Sequence, residues 1–398
     1  MDIHKYQKQC DRNIQRIKES EEFSNENKKI ILGFKDYLLS ENIGVAKINR
    51  YLQDIIRFNR MLGKTFSEAT KDDIRRVIGE INTCKKKDGN PLSEETKKGI
   101  KIMIRKFYRF IEGVDENGVY PEMVKWISIA IPNNHKKLPE ELLTEEEMSK
   151  LIQKCSCLRD KAFASTLVES GCRIGEVATL KIKNVSFERY GARLHVQGKT
   201  GMRKILVINS APYLQEWINN HPFSEDRESY IWIKDNGELL TDSRFSAILK
   251  KAGKMAGIKK RIYPHLFRHS RATIFASSPI MSESCMKQYF GWSQNSRVFS
   301  VYITLSSKAV DDAILRANGI EVSKVKQESK MKPIKCLKCK CVNEFTNRFC
   351  KICGFPLNEK EAQEIIKKET ERSVADEVMN KLMEDEEILS LIKKKINS

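Results

Sequence analysis

Residues 131–143, IPNNHKKLPEELL, interrupt this chain more decisively than any other stretch. Proline has no amide to donate and asparagine competes for backbone hydrogen bonds, so continuous helix is disfavoured here and a linker is expected. The hydrophobic pattern changes across it. Upstream, Ile30, Ile31, Phe34, Tyr37 and Leu38 make one helical stripe, and Leu52, Ile55, Ile56 and Met61 make a second. Ile100, Met103, Ile104, Phe107, Tyr108 and Ile111 make a third, each recurring at the 3.6-residue period. Lysines and arginines flank each stripe, so residues 27–115 are expected to form a basic all-helical domain. Residues 1–26 read as a charged, weakly amphipathic helical extension of it.

Downstream the pattern is mixed. A helix from Arg159 to Glu169 should stop at Gly171, with another starting near Arg173. Residues 192–197 and 203–208 flank Gly198-Lys199-Thr200-Gly201 and predict a β-hairpin with Lys199 at its tip. Thr144 with the glutamates after it, Thr241-Asp242-Ser243, and Pro264 each mark a helix start. A mixed α+β domain is therefore expected over 140–318, then a cysteine-rich piece over 333–357. An amphipathic C-terminal helix over 358–398 should follow, with Val378, Leu382, Leu389, Ile392 and Ile396 on one stripe. Either a partner helix or the chain itself could cover that stripe.

Lys and Arg number 72 against 53 Asp and Glu, a formal charge of +19. The segment from 358 onward holds 11 acidic and 8 basic residues, so the basic excess lies upstream of it. Such an excess points to an anionic partner, most often nucleic acid. No apolar run approaches the roughly 18 residues needed to cross a bilayer, and the start MDIHKYQKQC lacks the apolar stretch of a secretion signal. The expected place is the cytoplasm, beside the nucleoid.

Of 11 cysteines, six are scattered and five crowd into 336–353. Cys336-x2-Cys339 and Cys350-x2-Cys353 have the spacing of a tetrahedral structural Zn²⁺ site, with Cys341 as an alternative to Cys339. Gly354 suits the turn after the last ligand. Lys332, Lys335, Lys338, Lys340, Arg348 and Lys351 surround the ribbon, so it could touch phosphates or equally a protein.

Four separated pieces carry chemistry: Glu169-Ser-Gly-Cys-Arg173-Ile-Gly-Glu176, Gln197-Gly-Lys199, His265-Leu-Phe-Arg268, and Gly291-Trp292 followed by Tyr302. Taken singly each has a plainer reading, such as a helix-start ion pair for Arg173 with Glu176. In this order and spacing, over roughly residues 27–318, the sequence resembles the tyrosine recombinase (phage integrase) family. With its zinc ribbon it looks most like archaeal integrases.

The resemblance implies a site-specific DNA recombinase that cuts and rejoins duplex DNA through a 3′-phosphotyrosyl link. Tyr302 would be the nucleophile, with Tyr289 as second candidate. Arg173 and Arg268 would hold the non-bridging phosphate oxygens, a task suited to a planar donor fork that stays charged. His265 would donate to the phosphate or take the tyrosine proton. Lys199, with Lys204 as rival, would protonate the leaving 5′-oxygen. Trp292 would give one indole N–H to the phosphate, and Glu176 would orient Arg173.

Neither ATP nor a catalytic metal is implied, and four protomers on two duplexes are, with any accessory protein unknown. The two main domains would clamp DNA. Integration and excision of a mobile element is the leading role. A host Xer-like resolvase of chromosome dimers and a decayed DNA-binding regulator are the alternatives.

Two resemblances fail on chemistry. Gly198-Lys199-Thr200 lacks the earlier glycine of a phosphate loop, because position 193 is Arg. His265 and His269 have the spacing of a helical zinc pair, but Leu266 stands where the Glu belongs and Arg268 lies between them.

Overall fold

The computed structural model describes residues 3–86, 88–114, 118–130, 139–198, 201–276, 281–296, 299, 315, 333–345 and 347–384. It divides into two compact units, Met1–Lys136 and Lys137–Ser398.

The first unit is helical: α1 (Tyr6–Glu19), α2 (Asn25–Ser40), α3 (Val45–Leu62), α4 (Lys71–Thr83), α5 (Glu94–Ile111) and the short α6 (Glu122–Lys125). The three stripes meet in one core, with Phe34, Phe58, Phe66 and Phe107 at its centre. Phe66 and Phe107 pack edge to face, 4.9 Å between centroids. The starts of α2, α4 and α5 are closed by side chains, as where Thr70 and Asp73 form a reciprocal capping box on α4. Helix α1 is more than a weakly amphipathic extension. It buries Cys10 and Ile17 in the same core, and Asn49 of α3 accepts from Asn13 at 2.7 Å and donates to Gln9 at 3.0 Å.

The second unit begins with buried Leu142 and Leu143, at the end of the stretch read as linker; residues 131–138 lie outside the described set. Its elements are α7 (Glu145–Gln153), α8 (Leu158–Ser170), α9 (Ile174–Ala178), β1 (Val185–Glu188), β2 (Gly191–Gly198), β3 (Gly201–Val207), α10 (Ala211–Asn219), α11 (Asp242–Met255), α12 (Pro264–Ala276) and α13 (Glu283–Phe290). The strands form an antiparallel sheet in sequence order, with Gly198 opposite Gly201 at the hairpin end. Period-two alternation buries Ala192, Leu194 and Val196 of β2, and Ile205 and Val207 of β3.

Thr144 and Glu147 form the expected capping box. Helix α11 starts where Thr241 predicts, but the threonine side chain makes no capping bond. The same unit carries the cysteine ribbon, with strands β4 (Ile334–Lys335) and β5 (Val342–Asn343) paired antiparallel, and α14 (Glu359–Glu384). Helix α14 leaves Ile366, Val374, Val378 and Met379 exposed, and Leu389, Ile392 and Ile396 lie outside the described residues.

Candidate functional site

Helix α8 ends at Gly171 with φ +56°, and a Cβ there would come 2.7 Å from the Phe290 ring. This left-handed residue turns the chain sharply, delivering Cys172 and then Arg173 at the start of α9. The Arg173 amide donates to Glu176 Oε2 at 2.8 Å, its Nη1 to Oε1 at 2.9 Å, and its Nη2 to the Gly291 carbonyl at 3.4 Å. Arg268, three residues after His265 on α12, is only 5% exposed. It donates to the carbonyls of Gly171 (3.1 Å) and Phe290 (2.6 Å). Its guanidinium lies 5.2 Å from the Phe290 ring centre and 5.7 Å from that of Trp292, and the two rings stack at 4.9 Å.

The sequence reading missed Arg203. Its guanidinium grips Glu176 with both ends, Nη1 to Oε1 at 3.0 Å and Nη2 to Oε2 at 2.8 Å. Its Nε donates to the Tyr289 carbonyl at 2.9 Å. One buried carboxylate thus ties together α9, β3 and the segment after α13. A signal for it was present: Arg203 sits opposite buried Val196 and alternates with Ile205 and Val207, so a charge occupies the apolar register of a strand.

Two glycines admit this arrangement. A Cβ at Gly198 would stand 2.5 Å from Glu176 Oε1, and one at Gly291 (φ +60°) 2.8 Å from Arg203 Nη1.

Three arginines against one carboxylate leave the pocket positive. Burial, then the charge of Arg173, pushes the Arg268 guanidinium down to about 10, still charged at neutral pH. Burial alone would raise the Glu176 carboxyl, but the bonds and charge of Arg203, then the hydrogen bonds from Arg173, more than offset it and hold the carboxyl below its usual range. A neutral-pH anion with paired oxygens suits such a site.

The structure therefore gathers Arg173, Glu176, Arg268 and Trp292. His265 lies on the helix of Arg268, exposed, with its ring 6.4 Å from that of His269. Lys199 and Tyr302 lie outside the described residues. Lys204 is exposed on the face of β3 opposite Arg203. Tyr289 donates its hydroxyl to the Glu169 carbonyl at 3.3 Å, and burial pushes the phenol above its ordinary pKa. It is held as structure, so Tyr289→Phe should lose one hydrogen bond, about 1 kcal/mol of stability in urea unfolding.

The second cluster is the ribbon. The Sγ atoms of Cys336, Cys339, Cys350 and Cys353 all lie within 4.8 Å of one another, with 336–353 at 3.6 Å and 339–350 at 3.5 Å. A tetrahedral ion at about 2.3 Å from each sulfur needs sulfurs about 3.8 Å apart, so the set fits such an ion. Two like turns form it: Lys340 N to Cys336 O at 3.0 Å, and Gly354 N to Cys350 O at 2.8 Å. The donors have φ +62° and +66°. Cys341 is not one of the four mutually close sulfurs, yet its Sγ lies 3.8 Å from that of Cys350 and donates to the Val342 carbonyl.

The description "Phage integrase family" matches residues 141–308. Tyrosine recombinase XerA of Pyrococcus furiosus is 31% identical over 195 residues, 48% of this chain and 66% of that protein. XerA of Pyrococcus horikoshii is 26% identical over 310 residues, 77% of this chain and 98% of that protein. Among solved structures, XerH recombinase in a post-cleavage complex with a palindromic difH substrate has a TM-score of 0.56. It is 18% identical, covering 79% of this chain and 97% of that one. A lambda integrase dimer bound to a COC′ core site has a TM-score of 0.54 at 17% identity, covering 70% and 77%. At these identities the solved structures speak for the fold alone.

Proposed function

The chain belongs to the phage integrase family and is a tyrosine-type site-specific DNA recombinase, and from this premise we propose that it exchanges strands of a mobile element through a 3′-phosphotyrosyl intermediate on Tyr302. The observation that carries the reading is the convergence of Arg173 and Arg268 on the Phe290–Trp292 segment, ten residues before Tyr302 along the chain from Trp292. A scissile phosphate in this pocket meets two guanidinium forks whose positions are fixed by carbonyls and by Glu176, so little reorganisation accompanies the rise in charge.

The Tyr302 oxygen attacks phosphorus and the bond to the 5′-oxygen breaks. The phenol proton passes to His265, and Lys199 supplies a proton to the departing oxygen. The Trp292 indole gives one bond to the phosphate. A 5′-hydroxyl from the partner duplex then attacks the phosphotyrosine and releases Tyr302. One phosphodiester is exchanged for another at each step, so neither ATP nor a catalytic metal enters. One nucleophile per chain and four strands call for a homotetramer on two duplexes. The Cys336–Cys339–Cys350–Cys353 set would hold a structural Zn²⁺, which supplies cross-linking rather than chemistry. An archaeal host and a place beside the nucleoid fit this reading; among the described residues no helix is long and apolar enough to cross a membrane.

The Xer names of the relatives favour a second reading, resolution of host chromosome dimers. The ribbon and tail tilt the balance to the mobile element. Nicked suicide duplexes tiled from DNA flanking the protein's own gene, without ATP or Mg²⁺, should give an SDS-resistant protein–DNA adduct. Adducts only on chromosomal sites distant from the gene would favour the resolvase. Salt-sensitive binding with no adduct on any duplex would mark a regulator instead.

A further inference from the structure

The ribbon is seated on the unit that holds the arginine pocket. Phe345, just after β5, meets Tyr213 of α10 edge to face with ring centres 6.1 Å apart. It closes a cavity walled by Ile152, Val168, Glu169, Ser210 and Arg271, in which only about 10 Å³ remains open, roughly the room of one water. Beside it Glu344 is buried and hydrogen-bonds Glu216 of α10, with Lys161 of α8 and Lys351 of the ribbon as the other charges facing it. Burial, then that bond to Glu216, pushes the Glu344 carboxyl up to about 8, so Glu344 keeps its proton at neutral pH.

The wall of this seat is the back of the catalytic pocket. The Glu169 carboxylate accepts from the amides of Ile208, Asn209 and Ser210 at 2.7–2.9 Å, and its carbonyl accepts from Arg271 and Tyr289. Two residues on, the Gly171 carbonyl accepts from Arg268. We propose that the four-thiolate ribbon is an intramolecular clasp: loaded with metal, it seats Glu344 and Phe345 of its own chain on α8 and α10 and so steadies the turn that presents Arg173 and anchors Arg268. The seat stands on geometry independent of the recombination reading. An empty ribbon loses the corner that carries both residues, because four soft ligands hold so small a fold together.

The proton arm has a definite sign. A carboxyl raised by seating favours the seat fully below the ordinary carboxyl pKa and loses that contribution as pH rises through about 8. Glu344→Gln keeps a hydrogen bond to Glu216 without a proton to lose.

The test uses the full chain loaded with Co²⁺, whose thiolate absorption reports an intact ribbon, and follows amide exchange over 208–217. Phe345→Ser and Phe345→Asp should speed exchange there by about tenfold or more with the cobalt spectrum unchanged, and chelation of the wild type should do the same. Wild type and Glu344→Gln should match below the ordinary carboxyl pKa, with the wild type exchanging progressively faster than the variant as pH rises through neutrality to pH 9. Unchanged exchange over 208–217 in a metal-loaded Phe345 variant would overturn the clasp. If one variant loses the cobalt spectrum, the other decides, and coincidence of wild type and Glu344→Gln at every pH would remove the Glu344 proton from the seat. None of these readouts uses recombination, so a failed adduct assay leaves the clasp standing and a failed exchange assay leaves the recombinase standing.

Discussion

Tyr302→Phe should abolish the covalent adduct on a suicide duplex while duplex affinity and its salt dependence stay at wild-type values. The expected loss is on the order of 10⁴–10⁶ in cleavage rate, the scale seen when a covalent nucleophile is deleted. Phenylalanine keeps the ring but has no oxygen to bond to phosphorus. Rescue from Tyr289 is not expected, because its hydroxyl is engaged with the Glu169 carbonyl and its backbone carbonyl with Arg203. An adduct that persists in Tyr302→Phe and vanishes in Tyr289→Phe would reverse that assignment. Persistence in the double variant would remove tyrosine chemistry from this region altogether.

The second large effect falls on stability. Arg203→Gln should destabilise the catalytic unit by about 3–5 kcal/mol at pH 7, the cost of leaving a buried charge short of its partner. Glu176 is 5% exposed and keeps only Arg173 in the variant. Arg203→Lys should fall in between, since it restores charge without the two-pronged grip.

The pH dependence follows from the depressed Glu176 carboxyl. Its contribution is present above the ordinary carboxyl pKa and is lost as pH falls through the lower native one. Urea midpoints for wild type and Arg203→Gln should therefore stay far apart from pH 5 to 8 and converge under more acid conditions. Glu176→Gln added to Arg203→Gln should recover part of the loss, because it removes the stranded charge. Equal midpoints at pH 7 would show that the ion pair contributes nothing net.

What could be read from sequence was what neighbours in sequence decide. The stripes of α2, α3 and α5, the capping box of Thr144 and Glu147, the stop at Gly171 and the β2–β3 hairpin each rest on residues within a few positions. Arg173, Glu176, Arg268 and Trp292 could be named as a group only because their spacing matched a family pattern; nothing local brings residue 176 to residue 203 or residue 268 to residue 290. Arg203 was passed over since the strand was read for alternation of apolar residues alone. The bond expected of Thr241 failed although its helix formed, so the start of α11 does not depend on that side chain. The partners of Phe345 and Glu344 lie on elements more than 100 residues away, beyond any periodicity.

Gly198 and Gly291 also bear on how this protein can change over generations. Each lies against one end of the Glu176–Arg203 pair, so even the smallest step, to alanine, must push that ion pair aside at both places. Neutral drift must go around them. The outer face of the same hairpin is open, with Met202, Lys204 and Leu206 exposed on β3. Selection for new behaviour therefore has a fixed inner ledge around the ion pair and a freely written outer face on β3.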